Sequence, residues 1–488
     1  MAVACLIPTC LNMVSQVNLV TFVKTAVFLS CILLVPRSVL AEKPKKLSTK
    51  RIAKITQDGD RFADQGDFLN ALKRYTKAYT GVVSNIRGQE FSEAVTPKMY
   101  NREDLGKEMK EQFDKEYTEE ELLLMDSSFQ ALGLMPPELQ AKELMTAMLT
   151  EEVAGFYDPD NKRMVMIVDD SEGVKDPNWL GRLLGARPTF DKDEQKTTLA
   201  HELTHALQDQ LYDLNAMQSG IEDDDDMLLA FSALVEGDAT LLMMVESGDV
   251  TVEDMDIEAM RATMNLMTWM MPFAGGNTYR KAPPIFQETL GFPYLQGMLF
   301  ALSVAGKDGW ESVHGAYQSP PLSTEQILHP KKYFPGAEFD APQVVTIPKL
   351  DSVLGEQWKH LGGNCLGELQ TTVLLKRVRG GARAAAGWDG DRYEVFRRKD
   401  GKLAVAMATI WDSEKDAEEF EKAYAAMREL NPFGSDAVFA EEAERQLLRN
   451  GDRVTLVEGF AEEVGKKVLE LLKKSEFKEK SFPGIKRS

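Results

Sequence analysis

Residues 198–210 read TLAHELTHALQDQ, and this run places His201 and His205 four positions apart with Glu202 beside the first of them. On an α-helix that spacing stacks two side chains on one face, with Cβ atoms about 5–6 Å apart. Both imidazoles can then reach a single ion at the zinc–nitrogen distance of about 2.0–2.1 Å. Leu199, Leu203, Leu207 and Leu211 repeat at the same interval and give the helix an apolar back to bury. Glu202 lies about 100° round from His201. It is placed to take a proton from a water held by such an ion without being a ligand itself. The chain has 5 histidines, so composition alone would produce the string in roughly one such chain in several hundred. A working site therefore needs a third ligand from elsewhere.

Residues 227–245, MLLAFSALVEGDATLLMMV, offer it: an apolar helical run whose acids are Glu236 and Asp238. A carboxylate set in so apolar a helix is costly unless it is paired or metal-bound. Ser232, Ala233 and Thr240 flank Glu236 on its face, and such small residues let a second helix come close. Asp238, about 200° round, cannot share the ligand role. It is instead a candidate to orient a histidine, a task for which Asp209, one turn beyond His205, competes.

HELTH followed by ALVEGDA resembles the gluzincins, zinc peptidases whose two histidines and later glutamate bind the metal. The Glu236-Gly237-Asp238-Ala239 segment is closer to the form found in aminopeptidase N-type enzymes than to that of thermolysin. Those aminopeptidases carry a Tyr-any-any-Gly motif on a later helix, and FPYLQGMLFALSVAGKDGW (292–310) supplies Tyr294 and Gly297 in step. The resemblance covers residues 150–335. It implies Zn²⁺ on His201, His205 and Glu236, Glu202 as general base and Tyr294 as hydrogen-bond donor to the oxyanion. It also implies a peptide or protein as substrate. Positions 206–235 part His205 from Glu236, a longer gap than in the aminopeptidases, and their GxMEN signature has no equivalent here. Recognition of a free amine is therefore not expected, and an endopeptidase or a narrow self-processing enzyme is. VAGFYDP (153–159) resembles the edge strand on which such enzymes lay an extended substrate, main chain to main chain. His329 is either a second oxyanion donor or a structural loop histidine; His314 and His360 have no assigned task. The competing reading is a non-proteolytic zinc-binding or scaffold protein.

Outward from this centre the chain divides by pattern. Its 488 residues exceed ordinary domain length about threefold. The expected class is α+β, a predominantly helical zincin-like domain (151–335) between a helical N-terminal region (42–150) and a small α+β C-terminal domain (336–488). Residues 48–88 have the period of one tetratricopeptide-like hairpin; a lone copy is read as an amphipathic pair packing on the next domain. Thr118 and Glu121 have capping-box spacing, and MPPEL (135–139) is read as ending that helix. VAGFYDPDNKRMVMIVDD (153–170) has the period of a β-hairpin. The acidic run 222–226 is read as a solvated loop, with calcium as the minor alternative. In the C-terminal region a hairpin turns at Asp400-Gly401, Ser413 caps a helix, and a strand and a last helix follow.

The net charge of −20 argues against nucleic-acid binding. Residues 1–41 have the layout of a secretory signal with cleavage after Ala41, which predicts a secreted or cell-envelope protein. Membrane association through an uncleaved segment is the alternative. Three of the four cysteines, Cys5, Cys10 and Cys31, fall in that leader, so after its removal Cys365 has no partner for an internal disulfide.

Overall fold

The computed structural model describes residues 46–152, 155–158, 162–168, 191–221, 223–248, 250–274 and 277–485. The expected leader, with its three cysteines, and most of the DPDN turn lie outside them. Among the described residues the class is α+β and mainly helical, with three separate sheets.

An N-terminal hairpin of helices Thr49–Asp64 and Phe68–Arg87 comes first. Gly88, in the left-handed conformation, ends the second helix. Tyr75, Ala78, Leu72 and Ala71 of that helix pack into one cluster with Leu199, Ala200, Leu203, Ala206 and Leu207. The lone helix pair thus finds its apolar partner in the back of the histidine-bearing helix, Lys192–Tyr212. Asp191 caps that helix by accepting from the backbone of Asp193 and Glu194. Thr118 and Glu121 form the expected capping box at the start of Glu119–Ala131. The helix ends before MPPEL, at a left-handed Gly133, because the chain reverses there without needing the prolines.

The first sheet has strands β1 (Thr96–Tyr100), β2 (Gly155–Asp158) and β3 (Arg163–Ile167) in the order β1-β3-β2. β2 and β3 form the expected antiparallel hairpin, and β1 adds in parallel on the far side. β2 is therefore left at an edge, beside the histidine helix.

Two long helices complete the centre. The glutamate helix, Asp225–Gly248, is long and apolar enough to cross a membrane by length and composition, yet 89% of its apolar window is buried inside the protein. The tyrosine helix, Pro284–Asp308, crosses it at unusually short range. A Cβ built on Gly237 would stand 2.0 Å from the carbonyl carbon of Gly297, and one built on Gly297 would stand 2.2 Å from the carbonyl oxygen of Ala233. The backbones touch, and no side chain fits between them. The two glycines are those of the EGxA and YxxG segments, so their motif positions have a packing cause.

The C-terminal region is built on a five-stranded antiparallel sheet in the order β5-β6-β7-β9-β8: β5 Trp358–Asn364, β6 Trp388–Arg398, β7 Leu403–Trp411, β8 Ala443–Asn450, β9 Arg453–Ala461. β6 and β7 turn at Asp400-Gly401 as expected, and Ser413 caps helix Glu414–Glu429. β7 is buried along its whole length, which accounts for its nearly unbroken apolar sequence. β4 (Gln343–Thr346) pairs with β10 (Glu476–Glu479). The main core does not break at residue 335: one cluster runs from Leu132 through the glutamate and tyrosine helices to Trp388, Trp411 and Phe482.

Within the acidic run Asp223 is exposed, as a solvated loop requires, but Asp224 and Asp226 depart from that reading. Asp226 is 1% exposed and accepts hydrogen bonds from the Thr324 backbone N–H and hydroxyl. Lys480 Nζ lies 2.8 Å from Asp224 and 3.6 Å from Asp226. A buried lysine from the C-terminal tail thus supplies the charge that a calcium ion would have brought.

Gly237→Ala tests the crossing. Overpacking costs about 1–3 kcal/mol when side chains can yield, and here the obstacle is backbone. Thermal unfolding should show a loss of at least ~3 kcal/mol in the variant; a melting temperature equal to that of the parent would refute the close contact.

Candidate metal centre

The histidine helix is buried all round from Thr198 to Asp209, so its polar groups must find partners inside the protein. His205 Nε2 lies 2.9 Å from His201 Nε2 and 3.2 Å from Glu236 Oε2, and His201 Nε2 lies 3.1 Å from the same oxygen. Two helices bring three donor atoms to one point, with the imidazole planes at 83°. Donors held tetrahedrally at about 2.0–2.1 Å stand roughly 3.3 Å apart. The observed spacings fall a few tenths of an ångström short of that, and a zinc ion fits with a small outward movement.

Three groups of metal-ligand type side chains occur among the described residues. Asp224, Asp226 and Cys365 surround Lys480, and Glu325, Asp340 and Asp412 surround Lys332, whose Nζ lies 2.6, 2.9 and 2.6 Å from them. Among the described residues, the His201–His205–Glu236 group is bonded to neither lysine nor arginine. Its charges balance internally. Burial disfavours the imidazolium of His205, but the Glu236 carboxylate outweighs this and lifts its pKa to about 9. Burial likewise works against ionised Glu236, and the imidazoles, His205 foremost, reverse that and hold it at about 2. His201 is pushed down, first by burial. The pairing of His205 with Glu236 thus favours the charged form of each, and a cation bound there would take the place of the imidazolium proton.

A second layer sets the direction of His205. Its Nδ1 lies 2.9 Å from Gln208 Oε1. The Gln208 amide nitrogen donates to the Val235 carbonyl at 3.0 Å and to Asp238 Oδ2 at 2.9 Å. Both of those oxygens only accept, so the amide must turn its own oxygen to the ring. His205 Nδ1 then carries the hydrogen, and Nε2 is the atom left to face Glu236. Asp238 is in turn held by the Tyr317 hydroxyl at 2.9 Å and by Arg87, which reaches in from the end of the N-terminal hairpin and lies over Trp310. Asp238 thus bears on a histidine through Gln208. Asp209 does not: it binds the Tyr157 hydroxyl and Lys162, tying the helix to the β2–β3 hairpin.

Glu202 is 2% exposed. Burial raises its pKa to about 8, against the charge of His205 and the backbone N–H of Tyr157, which its carboxyl accepts. Tyr157 belongs to edge strand β2, so the acid sits where that strand meets the histidine helix. Tyr294 follows Pro293 in the tyrosine helix, and its ring stacks on His201 at 6.1 Å and 26°. The structure brings His201, Glu202, His205, Glu236 and Tyr294 together.

His329 is placed otherwise. It bonds Glu368 at 2.9 Å and, among the described residues, makes no bond to the centre, which favours the structural-histidine alternative. His314 bonds the Tyr212 hydroxyl, His360 bonds Glu394, and Trp388 is a buried core residue that donates to Asp391. Sequence reading missed Gln208, Arg87 and Tyr317. Gln208 had a local signal, one turn from His205 on its face; the other two are joined to Asp238 by folding alone.

Residues 356–469 match a family model described as a domain of unknown function, DUF8575. That span takes in β5 to β9 and contains none of the residues of the metal centre. Comparison with curated proteins and with solved structures gave no match.

Proposed function

We propose that this chain is a zinc-dependent metallopeptidase of zincin-like, gluzincin type, with His201, His205 and Glu236 as ligands. The observation that carries the reading is the meeting of two imidazoles and one carboxylate from separate helices at a buried point with no lysine or arginine in it. A bound zinc ion supplies Lewis acidity, polarising a carbonyl and bringing the pKa of water toward about 7.

The chain's own groups do the rest. Glu202, on the neighbouring face, would take the proton from the attacking water and pass it to the leaving amine. That role needs its ionised form, and therefore a cation beside it to offset the burial that holds its pKa at about 8. β2 is an edge strand whose residues are buried and whose Tyr157 N–H is held by Glu202; an extended peptide adding to that edge would replace this bond and lie beside the acid. A peptide laid there brings its carbonyl beside the acid. Tyr294, stacked on His201, donates to the oxygen that gains charge. The absence of a GxMEN segment favours internal peptide bonds as substrate. The leader-like segment favours a secreted or envelope setting.

Three outcomes are expected of the purified protein. Glu202→Gln should retain stoichiometric zinc by elemental analysis while hydrolysis of a casein or peptide substrate falls about 10²–10⁴-fold; a metal-binding scaffold would show no hydrolysis before or after the change. Tyr294→Phe should lower kcat by about 10²–10³-fold with KM and zinc content held, and a change confined to KM would assign the hydroxyl to binding alone. Gln208→Leu frees the His205 tautomer and should weaken zinc about 10–100-fold in competition with a chelator; unchanged affinity would remove Gln208 and Asp238 from the centre's support.

A further inference from the structure

We propose that the outer face of the N-terminal hairpin is a docking groove for an acidic, extended polypeptide segment of a partner protein. Residues just before and in helix Thr49–Asp64, the outer side of Phe68–Arg87 and the stretch 90–97 enclose a cavity of about 640 Å³. Its rim carries Lys46, Arg51, Lys73 and Lys77, all exposed, and its floor includes Leu47 and the buried Phe91. The chain as a whole carries a net charge of −20, so this rim is a local patch of opposite sign.

Nor are they spent on internal pairing. Lys192 and Lys196, which meet the other side of the hairpin, pair with Asp64 and Asp60. The four rim cations form no ion pair among the described residues, and Glu90 is the sole acid in the lining. Four like charges round one concavity repel each other, and a ligand bearing acids relieves that repulsion. An apolar floor between charged walls selects a segment that alternates acidic with apolar side chains. The shape and the charge speak against other polyanions. A membrane meets a convex or flat surface, and the acidic body of the protein would repel nucleic acid or an anionic bilayer over a Debye length of about 8–10 Å. A short segment confined to the groove escapes most of that repulsion.

The test is fluorescence anisotropy on the full chain with a labelled peptide that alternates glutamate with leucine, and with its lysine-for-glutamate counterpart. Vesicles of phosphatidylserine and a single-stranded oligonucleotide serve as further ligands. The acidic peptide should bind, the basic one should not, and added salt should weaken the binding. Lys73→Glu with Lys77→Glu, both on an exposed helical face, should weaken it about tenfold or more while circular dichroism stays unchanged. Arg51→Glu, on the other wall, should act in the same direction. Absence of acidic-peptide binding, or binding indifferent to these reversals, would overturn the proposal. Vesicle or oligonucleotide binding at equal or greater strength would reassign the groove to that polyanion. None of these readouts depends on zinc or on hydrolysis, so the groove stands or falls apart from the catalytic reading.

Discussion

A carboxylate and two imidazoles enclosed in an apolar helical core must neutralise one another or hold a cation, and the middle of this molecule is arranged round that constraint. Glu236 sits in a helix otherwise so apolar that its length and composition would suit a bilayer. The cost of burying such a group falls only when opposite charge lies within a few ångströms. His201 and His205 meet that need at 3.1 and 3.2 Å, and the same closeness brings the donors within a few tenths of an ångström of the spacing a tetrahedral ion requires. Electrostatic necessity and ligand geometry are one arrangement here.

Closeness of that kind depends on backbones. The glutamate and tyrosine helices cross at Gly237 and Gly297 with no side chain between them. That contact sets Glu236, one residue before the crossing, and Tyr294, one turn before it, at heights where both reach His201. Any Cβ at either glycine would push the helices apart and move the carboxylate from the imidazoles. The glycines therefore act on the site through distance, not through chemistry of their own.

The N-terminal hairpin belongs to this same unit. Its inner face covers the leucine back of the histidine helix, and Arg87 at its end braces Asp238, which with Val235 fixes the amide of Gln208. A chain of hydrogen bonds thus runs from the hairpin to His205. The outer face of the same helix carries Lys73 and Lys77, which form no ion pair among the described residues, so one element serves packing and orientation from different sides and is the proposed wall of the groove.

What could be read from the letters alone was whatever short range governs. The four-residue interval between His201 and His205, the isolated acid in an apolar run, the Thr118–Glu121 cap, the β2–β3 hairpin and the Asp400-Gly401 turn each depend on neighbours within a few residues. The gluzincin resemblance added Tyr294 and Gly297 by their order along the chain. Tertiary structure alone decided the rest. It seated Arg87 against Asp238 across 151 positions and Tyr317 across 79. It turned Asp224 and Asp226 inward onto Lys480, sent His329 to Glu368, and carried one core across residue 335. These outcomes follow from which faces find each other once the helices collapse, and no local period records the partner that a buried charge will meet.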